Sequence, residues 1–267
     1  MYNVQIKGKI IEQVKDVAKE AGAFIRLQRQ DFSPDKVETK GTHDYVSYVD
    51  KEAERLIVER LRKVLPEAGF LTEECTTVDD VQHEYVWVID PLDGTTNFVH
   101  GLPPYCVAIA LRKGREILLG VVYEVVNDEL FWAYQGGGAY LGEQPIRVSN
   151  EQHLNDALLC FGFPYNVEAW SPVMQRIVRD FYGHCASIRN LGSAETELCY
   201  VACGRFDGYV ESYLKPWDVA AGSIILQEAG GMVTDYQGGN QWMDGQQVLA
   251  TNSVLHEELR QKLTLTF

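Results

Sequence analysis

Residues 85–111 read YVWVIDPLDGTTNFVHGLPPYCVAIAL, and the order of elements in this stretch decides how the chain folds. Residues 86–89 are β-branched or aromatic without a break, the pattern of a strand buried on both faces. Such a strand delivers Asp90 at its C-terminal end, where open sheets place their ligands. Pro91 is expected to stop it. Asp93-Gly94 is a turn signal, after which Thr95 and Thr96 begin a new element whose free backbone N–H groups can hold an anion. One corner thus offers two carboxylates, the carbonyl of Leu92, the hydroxyl of Thr95 and amide donors. Carboxylate and carbonyl oxygens are the ligands of hard cations such as Mg²⁺. Taken alone, D-P-x-D-G reads first as a strand ending in an Asx-type turn whose acids face water.

Upstream, Ile6, Ile10, Val14, Val17, Ala21 and Ile25 recur at three- to four-residue steps and predict an amphipathic opening helix. A second helix is expected from Asp50 as N-cap, along Ala53, Leu56, Ile57, Leu61, Val64 and Leu65, ended by Pro66. Strand-like segments at 69–72, 85–89, 105–111, 116–125 and 129–134 predict a largely antiparallel sheet, so residues 1–150 read as an α+β part. Beyond residue 150, strand patterns at 157–161, 186–189, 209–211, 232–235 and 248–251 alternate with helical ones near 172–182, 193–203, 219–229 and 254–263. Residues 151–267 therefore read as an α/β part. No Pro/Gly/Ser linker separates the two, which predicts one compact unit.

The chain has 267 residues, 46% hydrophobic and 23% charged, an ordinary globular composition with a net charge of −14. That excess sits in two blocks. Residues 64–111 hold eight acids and residues 216–259 hold six, with no Lys or Arg in either. The balance disfavours nucleic acid and anionic lipid surfaces as partners. Six scattered cysteines without C-x-x-C, a charged opening segment unlike a signal peptide, and no run of 18 apolar residues make a reducing cytoplasm the expected compartment and a membrane partner not expected. The histidines show no H-E-x-x-H spacing, Gly136-Gly137-Gly138 reads as a hairpin element, and there is no G-x-S-x-G elbow, so neither a zinc site, a dinucleotide loop nor a serine hydrolase is indicated.

WVIDPLDGTTNFVHG resembles the signature of the inositol monophosphatase family, a group of Mg²⁺-dependent, lithium-sensitive phosphatases. WDVAAGSIILQEAGG, residues 217–231, resembles the family's second signature; on its own Asp218 reads as the N-cap of a helix ended by Gly230-Gly231. GFLTEE resembles the family's G-E-E strand end, with Thr72 in place of glycine. KGTHDYVSYVDKEAE resembles its K-x-D-L-V-T-x-x-D-x-x-x-E stretch, and GSAETELCYVACGRFDGYVE the segment in which G-S/T-A opens a helix and a final glutamate reaches substrate hydroxyls.

The resemblance implies the layered αβαβα sandwich of the inositol monophosphatase and fructose-1,6-bisphosphatase type. It implies two or three Mg²⁺ held by Glu73, Asp90, the Leu92 carbonyl, Asp93 and Asp218, with a water activated by Glu73 and Thr95 beside Asp50. It also implies substrate contacts from Asp93, Gly94, Thr95, Gly192, Ser193, Ala194 and Glu211. A phosphomonoester is a dianion, so cations must neutralise it before another oxygen can attack. The expected activity is hydrolysis of inositol monophosphate or a related polyol, sugar or nucleotide phosphate by a homodimer. Fructose-1,6-bisphosphatase, NADP 2′-phosphatase and 3′(2′),5′-bisphosphate nucleotidase remain alternatives, as does a regulatory or RNA-associated binding protein on the same fold.

Overall fold

The computed structural model describes residues 4–32, 37–41, 44–77, 81–163, 167–245 and 247–264. The chain opens with α1 (Val4–Gln30), the hairpin β1 (Val37–Gly41) and β2 (Asp44–Ser47), α2 (Tyr48–Val64), β3 (Gly69–Thr72), β4 (Tyr85–Asp93) and α3 (Thr95–His100). Then follow β5 (Cys106–Lys113), β6 (Glu116–Glu124), β7 (Glu129–Tyr134), β8 (Ala139–Leu141) and β9 (Gln144–Pro145). Strands β3 to β9 form a seven-stranded sheet in chain order, antiparallel except for the β3–β4 pair.

The second half runs β10 (Leu158–Phe161), α4 (Val167–Phe181), β11 (Ser187–Arg189), α5 (Ala194–Ala202), β12 (Gly208–Ser212), α6 (Ala220–Glu228), β13 (Met232–Thr234), β14 (Gln247–Thr251) and α7 (His256–Thr264). Its five strands lie in the order β11-β10-β12-β14-β13, with β10 parallel to both its neighbours and β14 antiparallel to both of its own.

Alternation along the strands builds the layers. On β5, Val107, Ile109 and Leu111 join the core under α1 and α2, whereas Cys106, Ala108 and Ala110 face the core shared with α5 and α6. The small side chains on that second face let helices come close: a Cβ at Gly120 of β6 would stand 2.6 Å from the Ala221 carbonyl. The opposite face of the five-stranded sheet is covered by Met174, Ile177 and Phe181 of α4 and Leu259 and Leu263 of α7. The order is therefore α1/α2, seven-stranded sheet, α5/α6, five-stranded sheet, α4/α7, an αβαβα sandwich. Among the described residues no helix is long and apolar enough to cross a membrane.

Two local expectations are corrected. Pro91 does not end β4, which continues to Asp93. Asp90 pairs with Ala108 and Asp93 with Cys106, so Pro91 and Leu92 stand against Val107 alone. That extra residue is a bulge, which accommodates proline's missing N–H and re-aims the strand end. The second helix is capped by Ser47 and not by Asp50. Ser47 Oγ accepts the Val49 N–H at 3.1 Å, while Asp50 at the third helical position reaches back to the Ser47 N–H at 2.8 Å.

Candidate active site

The parity of β4 sets the position of the site. Trp87 and Ile89 pack under α1 and α2, Val88 faces α5 and α6, and Asp90 shares the Val88 side before the bulge. There the end of β4, the segment after β3, and the starts of α3 and α5 meet the segment from β12 to α6 around a cavity of about 330 Å³. Glu73, Asp90, Leu92, Asp93, Gly94, Thr95, Gly192, Ser193, Ala194, Glu211 and Asp218 all line it. These are the residues expected at the metal and substrate positions, gathered from five separate parts of the chain. Of the KGTHDYVSYVDKEAE stretch, residues 42–43 lie outside the described residues.

Asp50 does not line the cavity but bonds Thr95, which does. Fully buried at the start of α2, it accepts from the Ser47 N–H, from Ser47 Oγ at 2.6 Å and from Thr95 Oγ at 2.9 Å. Burial pushes its carboxyl up, and the three hydrogen bonds oppose that. Thr95 Oγ also lies 3.0 Å from the Leu92 carbonyl. The capping box therefore has a second use: it fixes a carboxylate behind a hydroxyl that faces the cavity.

The carboxylates at the cavity repel one another. Burial, then Glu73, Asp93 and Asp218, push Asp90 well above the ordinary carboxyl range. Burial and then Glu73 do the same to Asp218. Asp90 shares a hydrogen bond with Glu73, and Asp218 Oδ2 accepts the Lys215 N–H at 2.6 Å. Among the described residues no three of these groups close on a single point. Four buried or half-buried carboxylates and a carbonyl are an all-oxygen donor set that a divalent hard cation fits, because such an ion removes the mutual repulsion.

Asp218 is not the cap of α6, as its sequence pattern predicted. It closes a 3₁₀ turn, Pro216–Asp218, and Val219 takes the cap position, which leaves the carboxylate to line the cavity. Asp93, in turn, does the work of a cap for α5. It accepts the Ala194 N–H at 3.2 Å, the Glu195 N–H at 2.9 Å and Ser193 Oγ at 2.6 Å, while the side chain of the cap residue Ser193 accepts no backbone N–H of its own helix. The Ser193 hydroxyl is thus engaged with Asp93 at the cavity wall.

Glu211 lines the cavity from β12 and is bonded by the Tyr209 hydroxyl. Burial, then Glu197, raise its pKa. Glu197 is itself pushed up to about 7, chiefly by burial, although the Leu191 N–H, the Gly192 N–H and Cys160 Sγ all donate to it. Four contributors were missed from sequence. Tyr209 orients Glu211. Glu54, fully buried, accepts the Glu74 N–H at 2.8 Å and the Thr76 N–H and hydroxyl at 2.6 Å each, fixing the segment that carries Glu73. It stands four residues after Asp50, where the family pattern ends in glutamate, so a signal existed. Phe163 and Tyr213 add exposed rings at the wall, Tyr213 with a left-handed φ of 75°. No sequence signal marked them.

The chain is similar to known proteins over nearly its whole length. A profile of the inositol monophosphatase family matches residues 7–265. An inositol-1-monophosphatase of Rhizobium meliloti is 38% identical over 261 residues, 98% of this chain and 95% of that protein. The Nus factor SuhB of Escherichia coli is 40% identical over 237 residues, 88% of each. The solved structure of an inositol monophosphatase from Anabaena (Nostoc) superposes with a TM-score of 0.86 at 34% identity, covering 97% of this chain and 96% of that one. With its signatures gathered on one cavity and the match running nearly end to end, the chain belongs to the inositol monophosphatase family.

Proposed function

We propose that the protein is a Mg²⁺-dependent phosphomonoesterase whose substrate is inositol monophosphate or a closely related polyol phosphate. The observation that carries this reading is the set of Glu73, Asp90, Asp93, Asp218 and the Leu92 carbonyl on one cavity that Glu211 also lines. Those five groups are the ones that would hold two or three Mg²⁺. When bound, Mg²⁺ supplies positive charge against the phosphate dianion and lowers the pKa of water.

The protein's own groups do the rest. Thr95 Oγ donates to Asp50, so its oxygen is free to accept from a cavity water and hold it for attack on phosphorus. Ser47 fixes Asp50, so this pair keeps its place as substrate comes and goes. Gly94 and Thr95 border the space a phosphoryl group would take, and Glu211, oriented by Tyr209, receives hydroxyls of the alcohol. No residue of the site is used as a covalent nucleophile, so no phosphoenzyme forms.

The test is phosphate release by the purified protein from inositol monophosphate, fructose 1,6-bisphosphate, NADP and 3′,5′-bisphosphate nucleotides, each with and without Mg²⁺ and Li⁺. The expected result is release from inositol monophosphate that requires Mg²⁺ and falls with Li⁺. No Mg²⁺-dependent release from any ester overturns the reading, and equal rates on all overturn the narrow specificity. The likeness to proteins named Nus factor favours a second, compatible reading as a partner in a regulatory assembly. The net charge of −14 then argues for contact through protein surfaces more than through RNA.

A further inference from the structure

Glu195 does not line the cavity, yet it ties two of the cavity's carboxylates together. It is the second residue of α5 and is fully buried. Its main-chain N–H donates to Asp93 Oδ2 at 2.9 Å. Its side chain crosses to the start of α6, where Oε1 accepts the Ala221 N–H at 3.0 Å and Oε2 accepts the Gly222 N–H. Asp218 precedes α6 by two residues. One residue is therefore gripped by Asp93 through its backbone and grips, through its side chain, the helix that follows Asp218.

The contact is built for closeness. A Cβ at Gly222 would come within 2.6 Å of both Glu195 Oε2 and Leu198 Cβ, so the two helices approach only because position 222 has no side chain. A carboxylate here is costly in isolation. Burial and then Asp93 disfavour its charge, the Gly222 and Ala221 amides favour it, and Asp218 adds to the repulsion. Two N-terminal amides of one helix are the compensation the fold provides.

We propose that Glu195 is a positioning residue that sets the separation of Asp93 and Asp218, and hence the affinity of the site for divalent cations. The inference rests on the reading of those two aspartates as Mg²⁺ ligands. The test is a calorimetric Mg²⁺ titration of the full-length wild type, of Glu195→Gln and of Glu124→Gln. Glu124 is a matched control, a fully buried carboxylate that accepts two backbone N–H groups in the turn after β6 and does not line the cavity. An amide can accept only one of the two α6 N–H groups. Glu195→Gln is therefore expected to bind Mg²⁺ about tenfold or more weakly, with the Mg²⁺ needed for half-maximal activity rising by the same factor and kcat at saturating Mg²⁺ within about threefold. Glu124→Gln is expected to keep wild-type affinity.

Wild-type affinity in folded Glu195→Gln overturns the proposal, and so does a kcat loss that saturating Mg²⁺ does not restore. Absence of Mg²⁺ binding by the wild type itself overturns the reading of the site, a result distinct from the first two. If Glu195→Gln does not fold, Gly222→Ala, which presses on the same contact from α6, decides the matter: weaker Mg²⁺ binding supports the proposal and unchanged binding overturns it.

Discussion

Single side chains at this site have separable tasks. Thr95 joins the cavity to Asp50 through one hydroxyl, so Thr95→Ala is expected to lower kcat about 100-fold at saturating Mg²⁺, and Thr95→Ser to restore most of it. Phosphate release at fixed substrate concentrations checks both. Glu211 is accommodated because position 162 carries no side chain, since a Cβ at Gly162 would fall on its carboxylate. Gly162→Ala is therefore expected to raise KM for a polyol phosphate about tenfold, because buried hydroxyl recognition is lost. The same variant is expected to leave p-nitrophenyl phosphate, whose alcohol has no further hydroxyl, unaffected. Equal losses on both substrates would show that Gly162 acts on the whole cavity and not on Glu211.

At the scale of elements, termini do the positioning. The start of α2 carries Asp50, the end of β4 carries Asp90 and Asp93, and the turn before α6 carries Asp218. Caps are consequently doing two jobs. Ser47 satisfies the Val49 N–H and also holds Asp50 at 2.6 Å. Ser47→Ala is expected to cost about 1 kcal/mol, a fall of about 2–4 °C in the unfolding temperature of a chain this size. A kcat loss beyond the small stability effect should accompany it, because Asp50 loses a donor. Calorimetry and turnover measured on one sample test the pairing; a stability loss with full kcat would separate the cap from catalysis. Glu54 does for the Glu73 segment what the capping residues do for helices, accepting the Glu74 and Thr76 backbone N–H groups so that an irregular stretch stays in one place.

Across the whole molecule, buried ionisable groups make stability depend on pH in opposing directions. His256 sits at the start of α7 with Nε2 2.9 Å from Thr234 Oγ1 and Nδ1 2.9 Å from Thr251 Oγ1, joining β13 and β14. Burial holds its pKa down at about 4, so the folded chain keeps it neutral where the unfolded chain takes up a proton. Its contribution is complete above pH of about 6.5 and is lost as the pH falls towards 4. The raised carboxyls at the cavity act the other way, since protonation relieves their repulsion. The comparison that isolates His256 is between wild type and His256→Gln, in which the carboxyl effects are shared. The stability advantage of the wild type is expected to shrink from pH 7 to pH 4.5 in denaturant melts. An advantage that does not change with pH would show that the imidazole is not held neutral.

The sequence by itself determined the order of the main helices and strands and which oxygen-bearing residues to expect at the site. The first is written in local patterns: β-branched and aromatic runs along the strands, a period of 3.6 along α1 and Pro66 after α2. The second comes from the resemblance of whole strings to the family signatures, since Asp90 and Asp93 alone read as an Asx-type turn and Asp218 as a cap. It also placed the whole acidic excess in two blocks, of whose fourteen acids Glu73, Asp90, Asp93 and Asp218 line the cavity. Only the tertiary structure decided which backbone amides each carboxylate serves. Asp50 and Asp218 both read as helix caps, yet Ser47 and Val219 occupy those positions and leave the two acids for the site. Asp93 caps a helix a hundred residues downstream, and Glu54 and Glu195 hold segments that no local pattern joins to them. The reason is physical. A side chain's choice between its own helix and a distant one is settled by which unpaired N–H groups packing brings within about 3 Å of it, and packing depends on every layer of the sandwich at once.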